Sequence, residues 1–263
     1  MTSIQTMLPI AFEVPSRPFT VWTDDPVRIE GDRLGDPGTE RTALILAHGL
    51  MGWHRKPRFA RFAELLSERR FTVYAMDLRG HGRSGGVCDY GGREVLDVDA
   101  VVRLARSVGH PHVVTVGTSM GAIAVLRHAG LVGGVDAVVG ISSLAYWDWR
   151  ADAHPRVRQS IRRATSTRGG RVALRAWGVR LPGSWEAPES PEDVVGGISP
   201  SPVVIVHGRD DHLFPEEHAM RLYEAAKEPK RLLLGDRFGH AEDGLTGSFA
   251  ARLERVIEEV LAA

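Results

Sequence analysis

Ser119 lies between two glycines in Gly117-Thr118-Ser119-Met120-Gly121, after the β-branched run 113–116 and before the helix-forming stretch 122–126. A chain that passes from strand to helix at one residue strains that residue, and flanking glycines leave room for the close packing. Such a bend lifts the hydroxyl above the carboxyl ends of the strands, where open α/β sheets bind ligands. A serine hydroxyl is a poor nucleophile until a base removes its proton, and the base needs an anion to orient it. The chain supplies both further on. Asp210 and Asp211 follow the apolar run 203–208, and His240 follows the run 231–236. Glycine-rich turns also serve as plain punctuation at strand ends, so the agreement of three placements is what favours acyl transfer to Ser119.

The elements that must hold these residues are legible as alternating patterns. Near-continuous apolar runs at 43–49, 72–78, 112–119, 135–142, 202–208 and 231–236 read as buried strands. Amphipathic stretches at 57–69, 93–107, 120–131, 216–227 and 247–262 read as helices. In the last of these, Phe249, Leu253, Val256, Ile257 and Val260 share one face. This alternation predicts an α/β fold, a mostly parallel sheet with helices on both faces. The segment 10–34 offers one or two edge strands. Between Ser142 and Pro202 the chain far exceeds a crossover with ~2–6 linking residues on each side of a helix. It carries the patterns Val157, Ile161, Ala164 and Val172, Ala176, Val179. Residues 146–198 are therefore expected to form an inserted helical cap on a core domain of 1–145 and 199–263.

Other reactive residue types compete for roles. Cys88, the single cysteine, sits in a loop-like GGVCDYGG without an adjacent histidine, and a reactive thiol needs an electropositive neighbour. His207, His212 and His218 with Asp210 and Asp211 could converge on a metal, but no spacing typical of metal ligands accompanies them. Asp236 and Asp243 flank His240 and are weaker candidates for its orienting acid, because loop neighbours seldom reach the far ring nitrogen. Asp77 precedes Ser119 in the chain and His81 lies in a glycine-rich turn, so both read as structural.

From about residue 43 to 262 the sequence resembles the α/β-hydrolase family, in its esterase- or lipase-like branch with a small cap. The resemblance rests on AHGLMG, DLRGHGRSGG, GTSMGA, HGRDDHLFP and FGHAED. It implies Asp211 rather than Asp210 as the acid, since Gly208, Asp211 and Pro215 match the family spacing, and His240 after Gly239 as the base. It also implies an oxyanion hole made by the backbone N–H groups of Leu50 and Met120, with His48 shaping the loop. The activity implied is a serine hydrolase cleaving a carboxylic ester through an acyl-enzyme, without metal or organic cofactor. A thioesterase or amidase, a lyase or acyltransferase, and a catalytically silent binding protein stay open as alternatives. A dehalogenase is disfavoured, because that branch carries an acid where this chain has Ser119.

Bulk properties bound the partners. The 33 basic and 33 acidic residues cancel, so no global field draws the protein to nucleic acid or membrane. No uninterrupted apolar run approaches the ~20 residues of a membrane span. The first residues lack a basic start followed by an apolar segment, and the expected location is the cytoplasm. From Arg150 to Arg180 there are nine arginines and one acid, Asp152. They read either as a rim that draws in an anionic small-molecule ester or as a solvated surface, or a contact with an acidic subunit face, and the latter is favoured. Trp53, Trp147, Trp149 and Trp177, with Trp185 beside them, are candidates for an apolar acyl pocket.

Overall fold

Five apolar strands, every residue of which is buried, form the middle of the protein in the computed structural model. The structure describes residues 10–35, 42–69, 71–148 and 155–262, with the side chains of 155–158 excepted. The strands are β1 (Ser16–Trp22), β2 (Arg28–Leu34), β3 (Ala43–Ala47), β4 (Thr72–Met76), β5 (Val113–Thr118), β6 (Ala137–Ile141), β7 (Val203–Gly208) and β8 (Lys230–Gly235). They form one sheet in the order β1-β2-β4-β3-β5-β6-β7-β8. Pairing is antiparallel from β1 to β2 to β4 and parallel from β4 through to β8. The one or two edge strands expected in 10–34 are thus a two-stranded hairpin that extends a parallel sheet, with β1 at the edge and β2 paired to β4.

Helices cover both faces, as buried parallel strands require. On one side lie α1 (Pro57–Ser67) and α8 (Gly247–Leu261), whose Phe59, Phe62, Phe249 and Leu253 pack against Leu46 and Val116. Pro57 supplies the fixed φ that suits a first helical turn, and the Thr246 hydroxyl caps α8 by accepting from the Phe249 N–H at 3.2 Å. All five residues of the face read for this last helix are buried. On the other side lie α2 (Glu94–Val108), α3 (Met120–Leu131) and α7 (Glu217–Ala225), facing a second apolar cluster that holds Val101, Val125 and Leu222. No described helix is long and apolar enough to cross a membrane.

Between β6 and β7 the chain forms α4 (Pro155–Ser166), α5 (Arg168–Ala176) and the short α6 (Pro191–Val194). Ile161 and Ala164 of the first pattern are half-buried, and the side chain of Val157 lies outside the described residues. The second pattern is not the inner face of α5. Leu174 takes the buried position while Val172 is 68% exposed and Ala176 is exposed. Arg171 turns inward beside Leu174 because its guanidinium donates to the carbonyls of Leu181 and Pro182 at 3.0 and 2.8 Å. Trp149, Arg150 and Asp152 lie outside the described residues.

Candidate active site

Register places the reactive loops side by side. Ala47 at the end of β3 pairs with Gly117 in β5, so the loop after β3 leaves the sheet next to Ser119. Glycine is required on both sides of that serine. A Cβ on Gly117 would lie 2.2 Å from the Gly121 carbonyl oxygen, and one on Gly121 would lie 2.2 Å from that of Ala47. Ser119 has φ 51° and ψ −117°, and its N–H donates to the Ile141 carbonyl at 2.8 Å. A non-glycine residue at such an angle stores about 1–3 kcal/mol and persists only where its surroundings over-determine it.

Three side chains meet here in one hydrogen-bonded line. Ser119 Oγ is 2.9 Å from His240 Nε2, and His240 Nδ1 is 2.8 Å from Asp211 Oδ2. The Nδ1 contact fixes the tautomer: the N–H faces the carboxylate, so the lone pair of Nε2 faces the hydroxyl. Asp211 Oδ1 also accepts from the N–H groups of Leu213 and Phe214 at 2.8 and 3.0 Å. Burial of the side chain opposes its ionisation. The hydrogen bond and charge of His240, with the two backbone N–H groups, outweigh that and hold the carboxyl below its ordinary range. The loop carrying His240 is pinned to β6 by the Ala241 N–H, which donates to Ser142 Oγ at 3.0 Å. Asp236 pairs with Arg209 and Asp243 with Arg58, and neither approaches the ring in place of Asp211.

The two N–H groups of Leu50 and Met120 have no hydrogen-bond partner among the described residues. Met120 is the first residue of α3, so the positive end of the helix dipole lies behind its N–H. The loop bearing Leu50 is held from below. His48, buried, donates from Nδ1 to the Gly49 carbonyl at 2.8 Å and accepts the Leu78 N–H at Nε2. Burial pushes its pKa down to about 3, which keeps the ring neutral and able to accept. His81 Nε2 lies 2.8 Å from the Leu50 carbonyl, so its position sets the peptide that follows Leu50. Asp77 accepts from the His54 N–H and ring Nδ1 at 2.8 and 2.7 Å and from the Arg83 N–H at 3.0 Å. Asp77 and His81 therefore serve the loop.

A cavity of about 1220 Å³ opens over Ser119. Its walls include Ile123, Leu144, Trp147, Trp185, Phe214 and Tyr90. Trp147 and Trp185 meet edge to face at 5.2 Å, and Tyr90 meets Trp185 at 5.5 Å. Trp53 and Trp177 are not on this wall, and Trp177 is instead 49% exposed. Among the described residues, the lysine and arginines that reach the cavity are already engaged: Lys56 with Glu242 at 2.9 Å, Arg58 with Asp243 at 2.7 Å, and Arg171 with backbone carbonyls. The other histidines do not converge on a metal site among the described residues: His212 lines the cavity with its ring 6.1 Å from that of His240, and His207 and His218 turn to the backbone. His207 Nε2 donates to the Phe214 carbonyl at 3.0 Å, and His218 Nδ1 accepts the Ala145 N–H at 3.2 Å. Cys88 is buried with Sγ 3.5 Å from Met120 Sδ, and burial pushes its thiol pKa well up. The thiol is packing, not a nucleophile.

Comparison with known proteins gives this geometry a family. Residues 44–241 match the model of the Alpha/beta hydrolase family. The chain belongs to the alpha/beta hydrolase family. Relatives include the uncharacterized protein YfhR of Escherichia coli K12, 30% identical over 80% of this chain and 68% of that protein. The uncharacterized YqkD of Bacillus subtilis is 28% identical over 81% and 69%. Among solved structures, the Pyrococcus furiosus esterase Pf2001 superposes with a TM-score of 0.74 at 20% identity, covering 94% of this chain and 93% of that one. Est1E of Butyrivibrio proteoclasticus, solved with ferulic acid, gives 0.67 at 19% identity over 93% and 100%. At these identities the structural likeness speaks for the fold.

Several residues of this alpha/beta hydrolase escaped the motif reading. Tyr90 and Phe214 line the cavity, and Phe214 packs edge-on against His240 at 5.0 Å. His54 is buried between Asp32 and Asp77, each 2.7 Å from one ring nitrogen. Burial opposes charge on His54, but these two bonds raise its pKa above the usual value. Arg127, buried in α3, donates to the carbonyls of Gly91, Gly92 and Glu189. It thereby ties the loop bearing Tyr90 to the segment that leads into α6. Only the HG and GHG motifs signalled a crowded loop, and nothing local signalled Arg127.

Proposed function

We propose that this protein is a serine hydrolase that cleaves a carboxylic ester through an acyl-enzyme. Hydrogen-bonded contact from Ser119 through His240 to Asp211, with Ser119 at a strained φ of 51°, is the observation that supports this reading most. Ser119 Oγ attacks the acyl carbon while His240 Nε2 takes its proton. Asp211 holds the ring tautomer and stabilises the imidazolium that forms. The N–H groups of Leu50 and Met120 receive the oxyanion, each donor being worth about 3–4 kcal/mol by mutational loss. His240 returns the proton to the leaving alcohol, and a water then repeats the steps to release the acid. The insert of 146–198 serves as a cap, with Trp147 and Trp185 in the wall that receives the acyl group. Reaction of the wild type with a fluorophosphonate probe and with p-nitrophenyl esters tests this. Wild type should label and turn over, and Ser119→Ala should do neither while keeping its melting temperature. A variant that still turns over the ester would remove Ser119 from the mechanism.

A further inference from the structure

Residues 155–180 contain eight arginines and no acidic residue, and the proposed chemistry uses none of that charge. Arg171 and Arg180 face inward and give their donors to backbone carbonyls, Arg180 to those of Gly86 and Ser84. Arg162, Arg163, Arg168 and Arg175 are exposed on α4 and α5 and have no ion-pair partner among the described residues. Elsewhere several exposed arginines have carboxylate partners, among them Arg58 with Asp243, Arg103 with Asp24 and Arg221 with Glu192, while Arg17, Arg237, Arg252 and Arg255 stand exposed without one among the described residues. Density sets this surface apart: its exposed arginines lie within 162–175, in a stretch with no acidic residue to offset them.

Its apolar content decides what it fits. Arg168, Val172, Arg175 and Ala176 follow helical spacing along one side of α5, all are exposed, and the buried Leu174 lies on the other side. Trp177, half exposed, stands at the C-terminal cap. Guanidinium groups thus alternate with aliphatic and indole surface. Solvent alone rewards the arginines but not Val172 and Trp177. An acidic protein face rewards the charge and leaves the outward indole unexplained. Anionic headgroups accept from guanidinium while indole and aliphatic groups settle at the acyl boundary, so a bilayer uses every part of the face. The inner sides of the same helices contribute Ile161, Thr165 and Arg171 to the cavity wall.

We propose that the outer face of α4 and α5 docks the protein on an anionic membrane surface. Docking would hold the cavity wall against the lipid that supplies an apolar ester. The docking itself does not depend on the hydrolase reading, and the two fail separately in the test below.

Sedimentation with vesicles of phosphatidylcholine mixed with phosphatidylglycerol, against vesicles of phosphatidylcholine alone, reads the proposal. Wild type should partition onto the mixed vesicles, less so as salt rises, and not onto phosphatidylcholine alone. Converting both Arg168→Gln and Arg175→Gln should weaken partition about fivefold for each arginine lost, about thirtyfold together, and Arg168→Glu with Arg175→Glu more. Val172→Asp should weaken it as well. All these variants should keep the wild-type rate on a water-soluble short-chain ester, which also reports that they fold. Equal binding to both vesicle types, no binding by wild type, or binding indifferent to the arginine changes would overturn the proposal. So would vesicle-free self-association that the arginine changes abolish, since the face would then belong to a second copy. Vesicle binding without turnover of any ester would leave the docking standing and remove the hydrolase reading.

Discussion

Replacing Gly121 with alanine adds one methyl group in the second residue of α3, and two effects of opposite sign compete. Helix propensity alone favours alanine over glycine by about 0.5–1 kcal/mol. Against that, the new Cβ would lie 2.2 Å from the Ala47 carbonyl oxygen and 2.6 Å from that of His48. An ordinary contact is about 3.5 Å, so α3 and the end of β3 must separate by about 1 Å. Both obstructing atoms are backbone, and no side chain can swing away. Overpacking of this kind costs about 1–3 kcal/mol, which exceeds the propensity gain. The displacement also moves the Met120 N–H, at the start of α3, away from the Leu50 N–H, two residues past His48. A misplacement of about 1 Å at reacting groups costs about 10²-fold in rate. Thermal melting and steady-state kinetics on p-nitrophenyl acetate measure both consequences. Gly121→Ala should lower Tm by several degrees and kcat about 10²-fold, with KM little changed. A Tm at or above wild type, with kcat unchanged, would refute the packing argument and the pairing of the two donors.

Asp211→Asn should cut kcat by as much as ~10⁴, through the wrong imidazole tautomer, while Asp210→Asn leaves kcat unchanged; the same kinetic assay checks both. His81→Ala removes the ring that lies against the Leu50 carbonyl at 2.8 Å and the Arg79 carbonyl at 2.9 Å, and kcat should fall by part of the about 10²–10³-fold that loss of a whole oxyanion donor costs. KM should hold, and His81→Asn should recover some of the rate. Burial raises the pKa of Glu94 to about 7 and of Asp97 to about 6, so the folded protein keeps protons that the unfolded chain releases at lower pH. The stability these two groups contribute is complete below their unfolded values of 4.5 and 3.8 and is lost as pH rises through 6 and 7. Because His54 is also raised, its contribution declines in the same direction. Asp211 and Asp77 are depressed and act the other way, losing their contribution only on strong acidification. Melting temperatures measured across pH should therefore fall from pH 5 toward pH 8, and the profile of Asp97→Asn should be flatter.

The sheet was legible because each central strand is a short, near-continuously apolar run that buries both faces, and α8 because its five apolar residues keep strict helical period. The loops around Ser119, Asp211 and His240 were legible for a different reason. Each follows a strand directly, so local sequence and strand end suffice to place it. Contacts across the insert were not. Trp185 reaches the cavity by meeting Tyr90, which lies before β5 in the chain, and the pairing depends on how the insert folds back over the 84–90 turn. Trp177 looked equivalent to Trp147 by composition, yet it ends α5 on the outer side. The pattern Val172, Ala176, Val179 does not mark the inner face of α5, because it leaves out Leu174, the larger apolar group, and the inward hydrogen bonds of Arg171, and its one buried member, Val179, lies beyond the helix end. Buried His54 carries no local mark, since Asp32 comes from β2 and Asp77 from just past the end of β4.

Mass spectrometry of the protein quenched during turnover of a p-nitrophenyl ester bears most directly on the covalent role of Ser119. The expected result is a peptide containing Ser119 that carries the mass of the acyl group, absent from Ser119→Ala and accumulating in a variant that deacylates slowly. Full-rate ester cleavage with no adduct on that peptide, or an adduct on another residue, would contradict it.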